Sequence, residues 1–353
     1  MEQRNEWVDY AKAIGIVLVV YGHVARGVHS AGIVIPETFY EITDSIIYSF
    51  HMPLFFFLSG LFFKNSLTKR GGLNLTFSKI DTIFYPFVLW SILQGSIEVF
   101  LSNYTNGNLT FSEVFSFLWE PRGQFWFLYA LFFIFILAII LSNTVNKIIP
   151  DKLLHYSALL IFGLSIVLYM NQSIFPGSAI FRYVPDNFVF FIFGVVFSLY
   201  YKEGYLSRFF QVGVISILFV LGQAVFHFVL NMNYGNKGVL SLLLGFISII
   251  FVVALSQFAS KKPSKFIIYL GTASMAIYLM HILAGSGARV ILKNFLNIDS
   301  YIIHLVIGFG VGILAPLLAL FIINRLKIPY FFSAPISKVW LFMTKKARPS
   351  KQS

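Results

Sequence analysis

No cysteine occurs among the 353 residues. That excludes disulfides, thiol nucleophiles, thioester relays carried by the chain and cysteine-based metal sites. Charge is also scarce. Only 11% of residues are charged while 58% are hydrophobic, too little polarity to coat a soluble globule. Strict polar–apolar alternation is missing: runs such as Ala130 to Leu141 are apolar throughout, which excludes the pattern of a membrane β-barrel. A short basic start followed by a small-residue cleavage site is not seen, so no cleavable signal peptide is expected. There is no repeat of fixed period, and no loop is long enough to form a separate soluble domain. What remains is a chain with 42 phenylalanines whose natural solvent is a bilayer. The expected fold is all-α: a polytopic bundle of membrane-spanning helices.

Apolar stretches place about ten spans, near 9–28, 44–63, 80–101, 124–142, 153–170, 186–201, 208–230, 238–257, 266–284 and 301–324. With the N-terminus in the cytoplasm, the 26 Lys and Arg divide twenty inside to six outside, a strong positive-inside bias. An even number of spans then leaves both termini cytoplasmic. The net charge of +12 is read as topology rather than as nucleic-acid binding. Residues 326–353 mix aromatic with basic side chains and are expected to lie on the anionic inner leaflet.

Several spans carry groups that are costly in lipid. The first, "RNEWVDYAKAIGIVLVVYGHVARG" from Arg4 to Gly27, contains Asp9, Lys12 and His23. Eleven residues of α-helix separate Lys12 from His23 by about 16 Å and about 20° of rotation, so both face one way. Asp9 lies one turn before Lys12, within reach of an ion pair. "FHMPLFFFLSG" puts His51 in the second span beside Pro53, where a kink is expected. "LGTASMAIYLMH" puts His281 in the ninth. The three histidines reach a similar depth in the outer half of the membrane. Imidazoles suit zinc or copper, yet no carboxylate lies in the membrane at this depth, and no metal is expected. His155, His227 and His304 lack such a setting and are read as structural. "PRGQFWFLYALFF", Pro121 to Phe133, sets Trp126 beside Arg122 and Gln124. An aromatic ring next to polar side chains suits a sugar, which stacks on the ring and bonds through its hydroxyls. Arg182 falls on the same outer side.

Together these stretches resemble the integral-membrane acyltransferase 3 family, whose members O-acylate bacterial sugars and polysaccharides, and most of all its fucose O-acetylase-like branch. The family's first helix carries Asp, a basic residue three positions on, then ten residues and His; Asp9, Lys12 and His23 match that pattern. "FHMPLFFFLSG", "WFLYALFF", "DNFVFFIFG" (Asp186 to Gly194) and "SMAIYLMH" are similar to further family signatures. The resemblance runs from about Arg4 to Arg325, so residues 1–325 are expected to form the membrane acyltransferase domain, with 326–353 a cytoplasmic tail. One departure stands out. Many relatives have a doubly basic Arg-x-x-Arg element at the inner start of the third helix, whereas "FSKIDTIFYPF" here offers Lys79 and then Thr82.

The resemblance implies transfer of an acyl group, acetyl by family habit, from cytoplasmic acyl-CoA to a hydroxyl of a cell-surface polysaccharide or its lipid-linked precursor. It implies a multi-pass protein of the bacterial cytoplasmic membrane. Lys12, with Asp9 beside it and Lys79, would meet the coenzyme A phosphates. Trp126, Arg122, Gln124 and Arg182 would meet the acceptor. His23 would act as general base or be acylated itself, and His51 and His281 would assist. Donors are also needed for the thioester oxygen, with His51, His281, Tyr278 and Ser274 as candidates. The competing reading is a transporter or flippase of polysaccharide precursors, which ten helices with intramembrane polar groups also fit. Transporters often show internal repeats or paired broken helices; neither is evident in the sequence.

Overall fold

The computed structural model describes residues 5–102, 110–148, 154–174, 177–202 and 204–346. Every regular element among them is helical. In chain order these are α1 (Glu6–Ser30), α2 (Glu37–Tyr48), α3 (His51–Leu61), α4 (Phe63–Arg70) and α5 (Gly72–Lys79). A π-helical turn, Ile80–Phe84, leads into α6 (Tyr85–Phe100). Next come α7 (Phe111–Ser116), α8 (Trp126–Ile148), α9 (Leu154–Met170), α10 (Ala179–Tyr200) and α11 (Phe209–Ala224). The remainder are α12 (Val239–Ala259), α13 (Lys265–Thr272), α14 (Ser274–Val290), α15 (Tyr301–Arg325) and α16 (Ile336–Lys346).

Nine helical stretches among the described residues are long and apolar enough to cross a membrane. They match nine of the ten predicted spans. The fifth is shorter, with only Tyr156–Met170 as its apolar part, and residues 149–153 before it lie outside the described ones.

Two prolines sit at breaks in the expected spans, whereas Pro185 and Pro316 lie inside α10 and α15. Pro53 was expected to kink a continuous helix. The break falls just ahead of it: Ser49 keeps helical dihedrals, the Phe50 N–H bonds to Ile47 three residues back, and Pro53 sits in the first turn of α3. Its ring would clash with the carbonyl four residues back, at Ser49, and its missing N–H costs nothing in a first turn. Pro86 acts alike at the start of α6: the wide π-turn ahead of it absorbs the lost hydrogen bond. The predicted ninth span is divided at Ala273 into α13 and α14.

The chain packs as two units, one holding residues up to 58 together with 200–327, the other 59–199 together with residues from 328 onward. In the first, α1 packs against α2 and α12 to α15. Its Ala11, Ile16, Val19 and Val20 are completely buried. Small residues allow the close crossings that lipid-embedded helices need. Gly308 and Gly312 of α15 face Val24 and Val20, and Gly271 of α13 lies against the backbone of Asp9. Tyr10 fixes the approach of α13: its hydroxyl accepts from the Ser264 N–H at 2.6 Å and donates to the Lys262 carbonyl at 3.3 Å.

In the second unit the chain end returns to the π-turn. Asp81 is buried, and its carboxylate accepts from the N–H of Ser337 at 3.0 Å and from the Ser337 hydroxyl. Trp340 of α16 stacks on Phe77 with ring centroids 4.3 Å apart. The described part of the tail is therefore a helix docked on α5 and the π-turn, with Val339, Phe342 and Met343 on its exposed side.

Candidate active site

Helix α1 is unbroken from Glu6 to Ser30, so the separation of about 16 Å between Lys12 and His23 on one face holds in the fold. Asp9 is buried in the first turns of that helix, where the amide dipoles favour a carboxylate. The Lys12 ammonium lies 3.8 Å from it, with its side chain 36% exposed. A pair this open adds little stability, and it leaves the ammonium accessible to an anion.

All three predicted histidines fall in the first unit, and the fold brings them together. The rings of His23 and His281 meet edge-on with centroids 5.0 Å apart. Tyr48, the last residue of α2, links His23 to His51, at 6.3 Å from the first and 4.5 Å from the second. His51 and His281 are buried, while His23 is half-buried.

The hydrogen bonds fix the chemistry of these rings. Nδ1 of His23 lies 3.0 Å from the Val19 carbonyl, and Nδ1 of His51 lies 2.7 Å from that of Ile47. Nδ1 of His281 lies 2.8 Å from the Tyr278 carbonyl and 3.1 Å from that of Ile277. A carbonyl only accepts, so in each neutral ring Nδ1 carries the proton and Nε2 holds the lone pair. Each histidine thus uses the helix turn before it to aim a basic nitrogen away from the backbone. The Nε2 atoms of His51 and His281 are buried with no hydrogen-bond partner among the described residues. In this tautomer Nε2 accepts. As neutral rings, then, His51 and His281 do not supply the donors that a developing oxyanion requires.

Sequence reasoning missed the charged frame around Tyr48. Arg26, one turn beyond His23, makes two bonds to Asp44, at 2.6 and 2.7 Å. Its guanidinium lies 3.2 Å from the centre of the Tyr48 ring. Tyr234 packs on both, 5.5 Å from the Tyr48 ring and 5.3 Å from the guanidinium. A signal was available: Arg26 is three residues from His23, Tyr48 is three from His51, and Asp44 is one turn before Tyr48. His227 is held by Gln223 and the Met232 carbonyl, and His304 by the Ile298 carbonyl. The side chain of His155 lies outside the described ones.

Of the other predicted residues, Ser274 and Tyr278 lie on α14 in the first unit, and the rest belong to the second. Lys79, at the end of α5, places its ammonium 4.0 Å from the Phe135 ring. Thr82 turns back to the Ser78 carbonyl at 2.9 Å. Trp126 and Tyr183 pack with centroids 5.1 Å apart. Arg182 pairs with Glu120, and Arg122 lies 3.5 Å from Glu98. Gln124 is buried and donates to Gln94 at 2.8 Å, rather than standing at an open rim. Among the described residues no group of three or more His, Asp or Glu is placed to hold a metal ion.

No solved structure matches the chain. Two curated relatives are the Nodulation protein NolL of Sinorhizobium fredii, 28% identical over 146 residues, and that of Mesorhizobium japonicum, 28% identical over 153. The alignments cover 38% and 40% of this chain, and in both cases 36% of the relative. The chain thus spans about a third of the length of the curated relatives it matches. The model of the acyltransferase 3 family, described as an acyltransferase domain, matches residues 5–322. Nine helical stretches among the described residues are long and apolar enough to cross a membrane, and the family match runs over nearly all of them: the chain belongs to the acyltransferase 3 family.

Proposed function

We propose that this enzyme transfers an acetyl group from cytoplasmic acetyl-CoA to a sugar hydroxyl on the far side of the bacterial cytoplasmic membrane. The acceptor is a cell-surface polysaccharide or its lipid-linked precursor. One observation carries the reading: a single unbroken helix holds an accessible cation and, about 16 Å along the same face, an imidazole whose basic nitrogen points away from its backbone. That spacing suits an acyl donor with a phosphate-bearing head and a long arm. The head meets Lys12, and the thioester lies near His23. The acyl donor is a substrate, consumed in each turnover.

In this reading His23 is the general base. Its Nε2 takes the proton from the attacking hydroxyl, and the Val19 carbonyl steadies the imidazolium that results. His51 and His281 surround it with further lone pairs and exclude water. Trp126 and Tyr183, with Arg182 and Arg122, contact the sugar through ring faces and cationic donors. The acceptor class rests on the motif resemblance.

The test uses purified enzyme in sealed vesicles with labelled acetyl-CoA inside and a polysaccharide acceptor outside. Label should appear as an alkali-labile ester on the acceptor. Label that builds up on the protein before acceptor is added would replace the base by a covalent acyl-histidine. Label on neither would remove the proposal.

A further inference from the structure

Acyl transfer demands more than a base. When an oxygen attacks a thioester, negative charge gathers on the acyl carbonyl oxygen, and a donor aimed at it is commonly the largest source of rate. The histidine cluster is short of such a donor: each ring spends its N–H on a backbone carbonyl. A phenol carries both a proton and lone pairs. The hydroxyl of Tyr48 is buried with no hydrogen-bond partner among the described residues. A buried hydroxyl left unsatisfied is costly, and a ligand that accepts from it would remove the cost.

Its position is favourable. The Tyr48 ring lies edge-on to His51, with an interplanar angle of 79°. Its hydroxyl runs beside α1 at Gly22, the residue before His23, and a Cβ built there would be 3.5 Å from it. On the ring face the Arg26 guanidinium, held by the two bonds to Asp44, draws electron density from the phenol and strengthens its O–H as a donor.

We propose that Tyr48 is a further catalytic residue, whose hydroxyl hydrogen-bonds the acyl carbonyl oxygen as charge develops there, with Arg26 and Asp44 as its positioning pair. The proposal rests on the acyltransfer reading of the histidine cluster. The step balances without any further reactant. The acceptor O–H gives its proton to Nε2 of His23 while its oxygen forms a bond to the acyl carbon. The carbonyl π pair moves onto oxygen, where the Tyr48 O–H holds it without surrendering its proton. The pair then returns, the C–S bond breaks with its electrons on sulfur, and the imidazolium passes its proton to the thiolate. Thioester and alcohol become ester and thiol.

The test is Tyr48→Phe in the vesicle assay, alongside His23→Ala and Tyr278→Phe. Tyr48→Phe should lower kcat by about 10²–10³-fold while leaving donor and acceptor KM near wild type. Thermal stability should hold or rise, because an unsatisfied buried group is removed. Wild-type kcat in Tyr48→Phe beside an inactive His23→Ala would overturn this proposal and leave the site reading standing. An active His23→Ala would overturn the site reading itself. A kcat loss confined to Tyr278→Phe would move the role to Tyr278. If Tyr48→Phe does not fold, a fluorinated tyrosine at position 48 keeps the hydroxyl and makes it more acidic. A more acidic hydroxyl is a stronger donor, so kcat at neutral pH should rise while donor and acceptor KM stay near wild type. Unchanged kcat would contradict the proposal.

Discussion

Gly271→Ala adds a single methyl group at the point where α13 presses on α1. A Cβ at that position runs into the carbonyl and Cα of Asp9, and backbone cannot rotate aside as a side chain can. One helix must shift. Overpacking of this kind costs about 1–3 kcal/mol, offset in part by up to about 1 kcal/mol from replacing glycine in a helix. Gly310→Ala in α15 is the control, because nothing lies within 4 Å of its added methyl and only the propensity gain remains. The two variants should therefore differ by about 2 kcal/mol, with the thermal midpoint of purified Gly271→Ala the lower in the same detergent. The shift also displaces the turn of α1 that carries Asp9 and Lys12, so Gly271→Ala should bind acetyl-CoA more weakly while acceptor KM stays unchanged. Equal midpoints and equal donor affinities would refute the claim that this crossing sets the geometry around Lys12.

Lys12→Ala should weaken donor binding and spare the acceptor, whereas Lys12→Arg should retain much of it; calorimetry with acetyl-CoA reads both, and unchanged affinity in Lys12→Ala removes Lys12 from the donor site. Trp126→Ala should raise acceptor KM and leave donor binding intact, and the opposite pattern would show the assignment to be reversed. Because the chain has no native cysteine, single cysteines report topology cleanly. With both termini inside, an impermeant maleimide should label Lys237→Cys from outside and miss Lys338→Cys. Labelling of position 338 from outside would mean that an odd number of helices crosses, with α9, whose apolar part is only Tyr156–Met170, as the one that does not.

Long apolar runs made most of the bundle legible, because bilayer thickness sets a minimum helix length whatever the packing. The breaks were less so. Pro53 announced a disturbance, but its position depended on which carbonyl the ring would meet, and that carbonyl is Ser49. The meeting of His23, His51 and His281 followed from their depth. Which of their nitrogens is basic did not, since that depends on the carbonyls of Val19, Ile47 and Tyr278. Arg26 had no site role in the sequence reading; its place became visible when Asp44 and Tyr48 closed around it. Gln124 was expected at the acceptor rim by adjacency to Trp126, yet one helical turn carries it inward to Gln94.

The central claim is that Nε2 of His23 takes the proton of the attacking hydroxyl. Its most direct test is the transfer rate of His23→Ala in sealed vesicles, with acetyl-CoA binding measured on the same preparation. The account predicts unchanged donor affinity with transfer reduced by about 10²–10⁴-fold, the range for loss of a general base. Transfer at the wild-type rate by a folded, donor-binding His23→Ala enzyme would contradict it.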